Sequence, residues 1–168
     1  MNVSDQWKVF MDARESAPVD VWRIPGQLGI EARKAFLPHD ISGMLERSES
    51  GFHITVEARD PNSRQRFTLA HELGHFMFHR HLIGVGEGVD DDRVYRSTEA
   101  GKYHNTNIGP DEETEANKFA ASLLMPMELV DHHRKELGDD VEEMAQLFQV
   151  SRHSMAIRMG VPYREANT

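Results

Sequence analysis

At 168 residues the chain is long enough to bury a core as one domain. Its 19 basic residues against 28 acidic ones leave a formal charge of −9, which disfavours non-specific nucleic-acid binding by the surface as a whole. It contains no cysteine, so disulfides are excluded and any metal would be held by nitrogen and oxygen.

No apolar run is long enough to cross a bilayer, and the opening MNVSDQWKVFMDARE lacks a signal-peptide pattern. A cytoplasmic protein without membrane contact is therefore expected. Trp7, Phe10 and Met11 stand at helical spacing and predict a short first helix. PVDVWRIPGQLGI reads as a second helical stretch that Pro25 bends or ends. IEARKAF, ISGMLER and GFHITVEA follow as three strands. In the last, Phe52, Ile54, Val56 and Ala58 alternate with His53, Thr55 and Glu57, the period of a half-buried strand. SES before Gly51 predicts a hairpin turn between the second and third strands.

Asp60-Pro61 reads as a helix start, with aspartate as cap and proline at the first helical position. The spacing predicts a helix to about His81. Gly84 to Gly109 is glycine-rich, acidic and aperiodic, and reads as a long loop of the kind that is often functional. Pro110-Asp111 opens another helix, which Pro126 closes. Met127 to Pro162 divides into three short helices at Gly138 and at Gln149-Val150-Ser151. The last two have a helix-turn-helix outline, with Arg152, His153 and Arg158 on the second helix. Yet Met127 to Thr168 carries five basic and eight acidic residues, the wrong balance for a phosphate backbone, so packing on the core or contact with a protein is expected instead.

The chemistry concentrates in RFTLAHELGHFMFH. His71 and His75 are four residues apart, so on a helix they face one direction, and H-E-x-x-H is an arrangement that binds zinc. Glu72 projects beside them, placed to act as general base on the attacking water. Gly74 is expected to keep the space between the histidines clear. The helix is apolar nearly all round, and burying two imidazoles and a carboxylate is costly unless they are paired or metal-bound. His81 occupies the position of a third histidine ligand in one known extension of the motif, but Phe78 replaces the glycine that would turn the chain back towards the metal.

A glutamate from DEETEANKFAASLLMP is the remaining source of a third ligand. Glu113 continues the apolar stripe of Ala116, Ala120 and Leu124, while Glu112 and Glu115 flank it and remain alternatives. Asn117, one turn further on, could hydrogen-bond the other ring nitrogen of a ligating histidine.

SGMLER, RQRFTLAHELGHFMFHR, EANKFAASLLMP and LFQVSRHSMAIRMG together resemble the ImmA/IrrE family of zinc metallopeptidases. The resemblance implies a minimal gluzincin-like fold, with Zn2+ held by His71, His75 and Glu113 and with Glu72 as base. It also implies a protein substrate, a helix-turn-helix transcriptional repressor in mobile-element or stress regulation. The alternative is a non-enzymatic, metal-containing regulator that binds protein or DNA through its C-terminal segment.

The expected architecture is α+β. A small antiparallel three-stranded sheet packs on the active-site helix and further helices, with 1–126 as the catalytic core and 127–168 as a helical segment packed on it. ISGMLER is the expected exposed edge to which an extended peptide could add. Tyr95, Tyr103 and His104 in the long loop are possible donors to the oxyanion.

Overall fold

The computed structural model describes residues 1–92 and 108–163. Tyr95, Tyr103 and His104 lie outside the described residues.

Helix α1 (Val3–Ala13) starts at Asn2, whose side chain accepts from the Asp5 amide while the Asp5 carboxylate accepts from the Asn2 amide. Its buried face is Phe10, and Met11 is exposed. A 3-10 turn (Val21–Arg23) leads directly into α2 (Ile24–Gln27). Pro25 thus sits in the first turn of α2, where its missing N–H costs nothing, and does not end a helix.

The sheet contains β1 (Glu31–Ala35), β2 (Ile41–Ser48), β3 (Gly51–Glu57) and β4 (Gly88–Asp92), in the order β1-β3-β2-β4. It is four-stranded and mixed, not three-stranded and antiparallel. After β1 the chain passes the end of β3 before returning as β2, so β1 lies parallel to β3, Glu31 opposite His53 and Ala35 opposite Glu57. The β2–β3 hairpin closes with Ser48 opposite Gly51, as the turn residues predict.

The fourth strand comes from the stretch read as loop. GVDDD has little strand propensity of its own and is recruited by pairing antiparallel to β2, with a bulge between Ile41 and Met44. ISGMLER is accordingly an interior strand, hydrogen-bonded on both sides. Among the described strands the edges are β1 and β4.

Leu45, Ile54 and Val56 lie fully buried in the main core. The alternate residues are buried too. Thr55 and Glu57 were expected on a wet face, but the β1–β2 connection folds over it. Leu37 joins Ile41 and Met44 in a second small cluster there, and the Leu37 amide donates to the Glu57 carboxylate at 2.7 Å.

Helix α3 (Asn62–His79) starts after Pro61, one residue later than the Asp60-Pro61 signal places it. Asp60 instead pairs with Arg64 at 3.3 Å. A 3-10 turn (Arg80–Leu82) finishes the segment, and His81 is exposed.

Helix α4 (Pro110–Leu124) has proline in its first turn, and the Glu112 carboxylate accepts from the Gly109 amide at 3.0 Å. Helices α5 (Met127–Leu137), α6 (Val141–Phe148) and α7 (Arg152–Met159) follow. Asp140 caps α6 and Ser151 caps α7. Val130, Met144, Phe148 and Met155 belong to the same buried cluster as Leu69 and Leu73 of α3. The buried Arg66 guanidinium adds a polar tie, donating to the carbonyls of Val19, Phe148 and Gln149 at 2.8, 3.4 and 3.2 Å. Together the described residues form an α+β fold.

Candidate metal centre

Helices α3 and α4 meet at Gly74. A Cβ placed there would lie 3.2 Å from the Ala116 Cα, 3.3 Å from its carbonyl oxygen and 3.0 Å from the Phe119 ring. Gly74 therefore does not clear space between the histidines. It lets the two backbones approach. On the sheet side Gly43 plays the matching part, since a Cβ there would clash with the Thr68 methyl and reach 3.7 Å from Glu72 Cγ. Trp7, Phe10 and Phe78 each meet the Phe119 ring edge-on beside the junction, and Trp7 also lies tilted against Phe10 and Phe78, with centroids 5.2–6.1 Å apart. Phe78 belongs to this cluster.

The close approach brings Glu113 to the histidine face. Its carboxylate oxygens lie 3.0 Å from His71 Nε2 and 3.0 Å from His75 Nε2, and the two nitrogens are themselves 3.0 Å apart. Among the described residues these three form the one His/Cys/Asp/Glu group whose ligand atoms converge in a metal-holding arrangement. Glu112 is used as the α4 cap, and Glu115 reaches a different histidine. His71, Glu72 and His75 are 0–1 % exposed, whereas the Glu113 side chain is 34 % exposed, so the cluster opens on the α4 side.

Proton positions can be read from the outer partners. Asn117 Oδ1 can only accept, so His71 Nδ1 donates to it at 2.8 Å, and neutral His71 presents a bare Nε2 to the cluster. Burial lowers the His75 pKa and favours its neutral form, outweighing the Glu113 carboxylate that would raise it. Burial also acts to raise the Glu113 pKa, but the His71 and His75 imidazoles beside it hold it down at about 2. Two imidazole nitrogens and an ionised carboxylate thus converge on one point and call for positive charge. Zinc bonded at about 2.0–2.1 Å would place such atoms about 3.3 Å apart, so the triangle fits after shifts of a few tenths of an ångström.

One partner escaped the sequence reading. His79 is 5 % exposed; its Nδ1 lies 2.9 Å from His75 Nδ1 and its Nε2 lies 2.9 Å from Glu115 Oε1. The signal was present, because 71, 75 and 79 repeat at helical spacing.

Of the basic residues on α7, Arg152 pairs with Glu142 at 3.1 Å, and the half-buried Arg158 donates to the Met125 carbonyl at 2.8 Å. His153 is exposed. No helix among the described residues is long and apolar enough to cross a membrane.

Residues 15–159 match the family model described as Peptidase_M78, IrrE N-terminal-like domain. The chain is 35% identical over 94 residues to the radiation response metalloprotease IrrE of Deinococcus deserti. That match covers 56% of this chain and 30% of the relative, so the chain spans under a third of that longer protein. A Mycobacterium tuberculosis transcriptional regulator shares the fold at a TM-score of 0.61 and 16% identity, covering 97% of this chain and 48% of that one.

Proposed function

Since the chain belongs to the Peptidase_M78, IrrE N-terminal-like family, we propose that it is a zinc-dependent endopeptidase that hydrolyses a peptide bond in a protein substrate. The observation that carries the reading is the convergence of His71, His75 and Glu113 around one point, with Glu72 adjoining His71 on the same buried helix.

His71, His75 and Glu113 would hold the ion. When bound, zinc supplies Lewis-acid polarisation of the scissile carbonyl and makes water a better nucleophile at neutral pH. Glu72 takes the proton from the attacking water and delivers it to the departing amine, the task of a positioned general base. Asn117 holds His71 with its Nε2 facing His75 and Glu113, the orientation in which it would bind the ion. The proposed substrate is a helix-turn-helix transcriptional repressor. This follows the resemblance to ImmA/IrrE peptidases alone; the name of the Deinococcus relative, a radiation response metalloprotease, supports the protease reading.

A regulator that reads DNA through α7 has less support, because Arg152 and Arg158 are already engaged within the fold. Incubating the zinc-loaded protein with candidate repressors and sizing the products by mass spectrometry tests the proposal. Glu72→Gln should retain zinc and lose about 10²–10⁴-fold in cleavage rate. Cleavage by that variant at the wild-type rate would exclude Glu72 as the base.

A further inference from the structure

His79 is a buried histidine with two polar contacts, one to a proposed metal ligand and one to a carboxylate on the neighbouring helix. The carboxylate end fixes the direction of the chain. Ionised Glu115 can only accept, so His79 Nε2 carries the hydrogen in the 2.9 Å contact. Neutral His79 then has a bare Nδ1, which can only accept. The 2.9 Å contact between the two Nδ1 atoms is therefore donated by His75. With its hydrogen on Nδ1, neutral His75 has a bare Nε2, the atom that faces His71 and Glu113.

We propose that His79 and Glu115 form a positioning relay that locks His75 in the tautomer and ring orientation needed to bind the metal. The inference rests on the metal-site reading above and extends it from the ligands to the groups that orient them. His71 and His75 are then held by different means, His71 by an amide on α4 and His75 by a histidine that is itself anchored on α4. The relay runs from a fully buried ligand to the Glu115 side chain, which is 54% exposed. Orienting partners of this kind typically carry 10–100-fold in metal affinity.

Zinc affinity, measured by competition with a chromophoric chelator, tests the relay without reference to catalysis. His79→Phe should bind zinc about 10–100-fold more weakly than wild type. His79→Asn places an accepting oxygen where Nδ1 stood and should recover most of the affinity. Glu115→Ala should lose less, because water can replace an exposed acceptor. In ¹⁵N-labelled zinc-bound protein, His75 should show a protonated, exchange-protected Nδ1. If wild type binds no zinc, the metal-site reading itself fails. If wild type binds zinc and His79→Phe and Glu115→Ala both match it, the relay alone is overturned. His79→Asn and Glu115→Ala keep the test decisive should His79→Phe fail to fold.

Discussion

Gly74→Ala adds a single methyl group at the point where α3 and α4 touch. In an unconstrained helix interior the change would stabilise by about 1 kcal/mol. Here the new carbon would stand 3.2 Å from the Ala116 Cα and 3.3 Å from its carbonyl oxygen. Carbon contacts settle at about 3.5–4.0 Å, so α4 has to retreat by roughly 0.4 Å. Overpacking of this kind costs about 1–3 kcal/mol. Set against the helix gain, a net loss of about 1 kcal/mol is expected, or about 2–4 °C in Tm for a chain of this size. Glu113 lies one turn before Ala116 and moves with it. Zinc affinity should therefore fall by about tenfold, equivalent to about 1.4 kcal/mol. Urea unfolding of the metal-free protein and chelator competition measure the two effects separately. A full 1 kcal/mol gain in stability with unchanged zinc affinity would refute the close approach of the helices.

Three further outcomes follow from the same contacts. Glu113→Ala should abolish tight zinc binding as measured by metal analysis after dialysis, whereas Glu112→Ala should retain it; zinc loss in Glu112→Ala alone would move the third ligand. Arg66→Met strips three carbonyls of their buried cation and should cost about 3 kcal/mol. Calorimetry should then show a Tm lower by roughly 6–12 °C, and a shift under about 2 °C would deny Arg66 that role. Glu57 is held at a pKa of about 2, chiefly by its hydrogen bond with Arg59, against the 4.5 of a free glutamate. A depressed carboxylate stabilises the fold above its unfolded pKa and loses that contribution as pH falls through the folded one. Denaturant midpoints of wild type should therefore drop between pH 4.5 and about 2, and Glu57→Gln should flatten part of that drop. An identical acid limb in the variant would contradict the shift.

The helices were the most readable part of the chain. The stripe of Glu113, Ala116, Ala120 and Leu124 needs only helical periodicity, and the structure turns Glu113 towards His71 and His75 while Ala116, Ala120 and Leu124 are buried. The sheet was less readable because its features depend on distant partners. Nothing local marks Gly88–Asp92 as a strand, and its geometry exists only against β2. Thr55 and Glu57 alternate like residues on a solvated face, and what buries them is the connection around Leu37. The parallel pairing of β1 follows from the path of that connection past the end of β3. Gly74 carried a signal that could be read two ways, since only the position of α4 shows which side needed the missing methyl. His79 repeats the spacing of His71 and His75, but its role depends on Glu115, which only the packing of α4 brings to it.

The odd-numbered residues of the first turns of α4 mesh with α3 like teeth on a rack: Glu113 on His71 and His75, Glu115 on His79, Asn117 on His71. One residue inserted between Glu113 and Asn117 would rotate everything on one side of it by about 100° relative to the other. The gears would then disengage together. At the proposed site, metal occupancy would act as a gauge of helical register, tolerant of many surface changes but of no slip along that one seam.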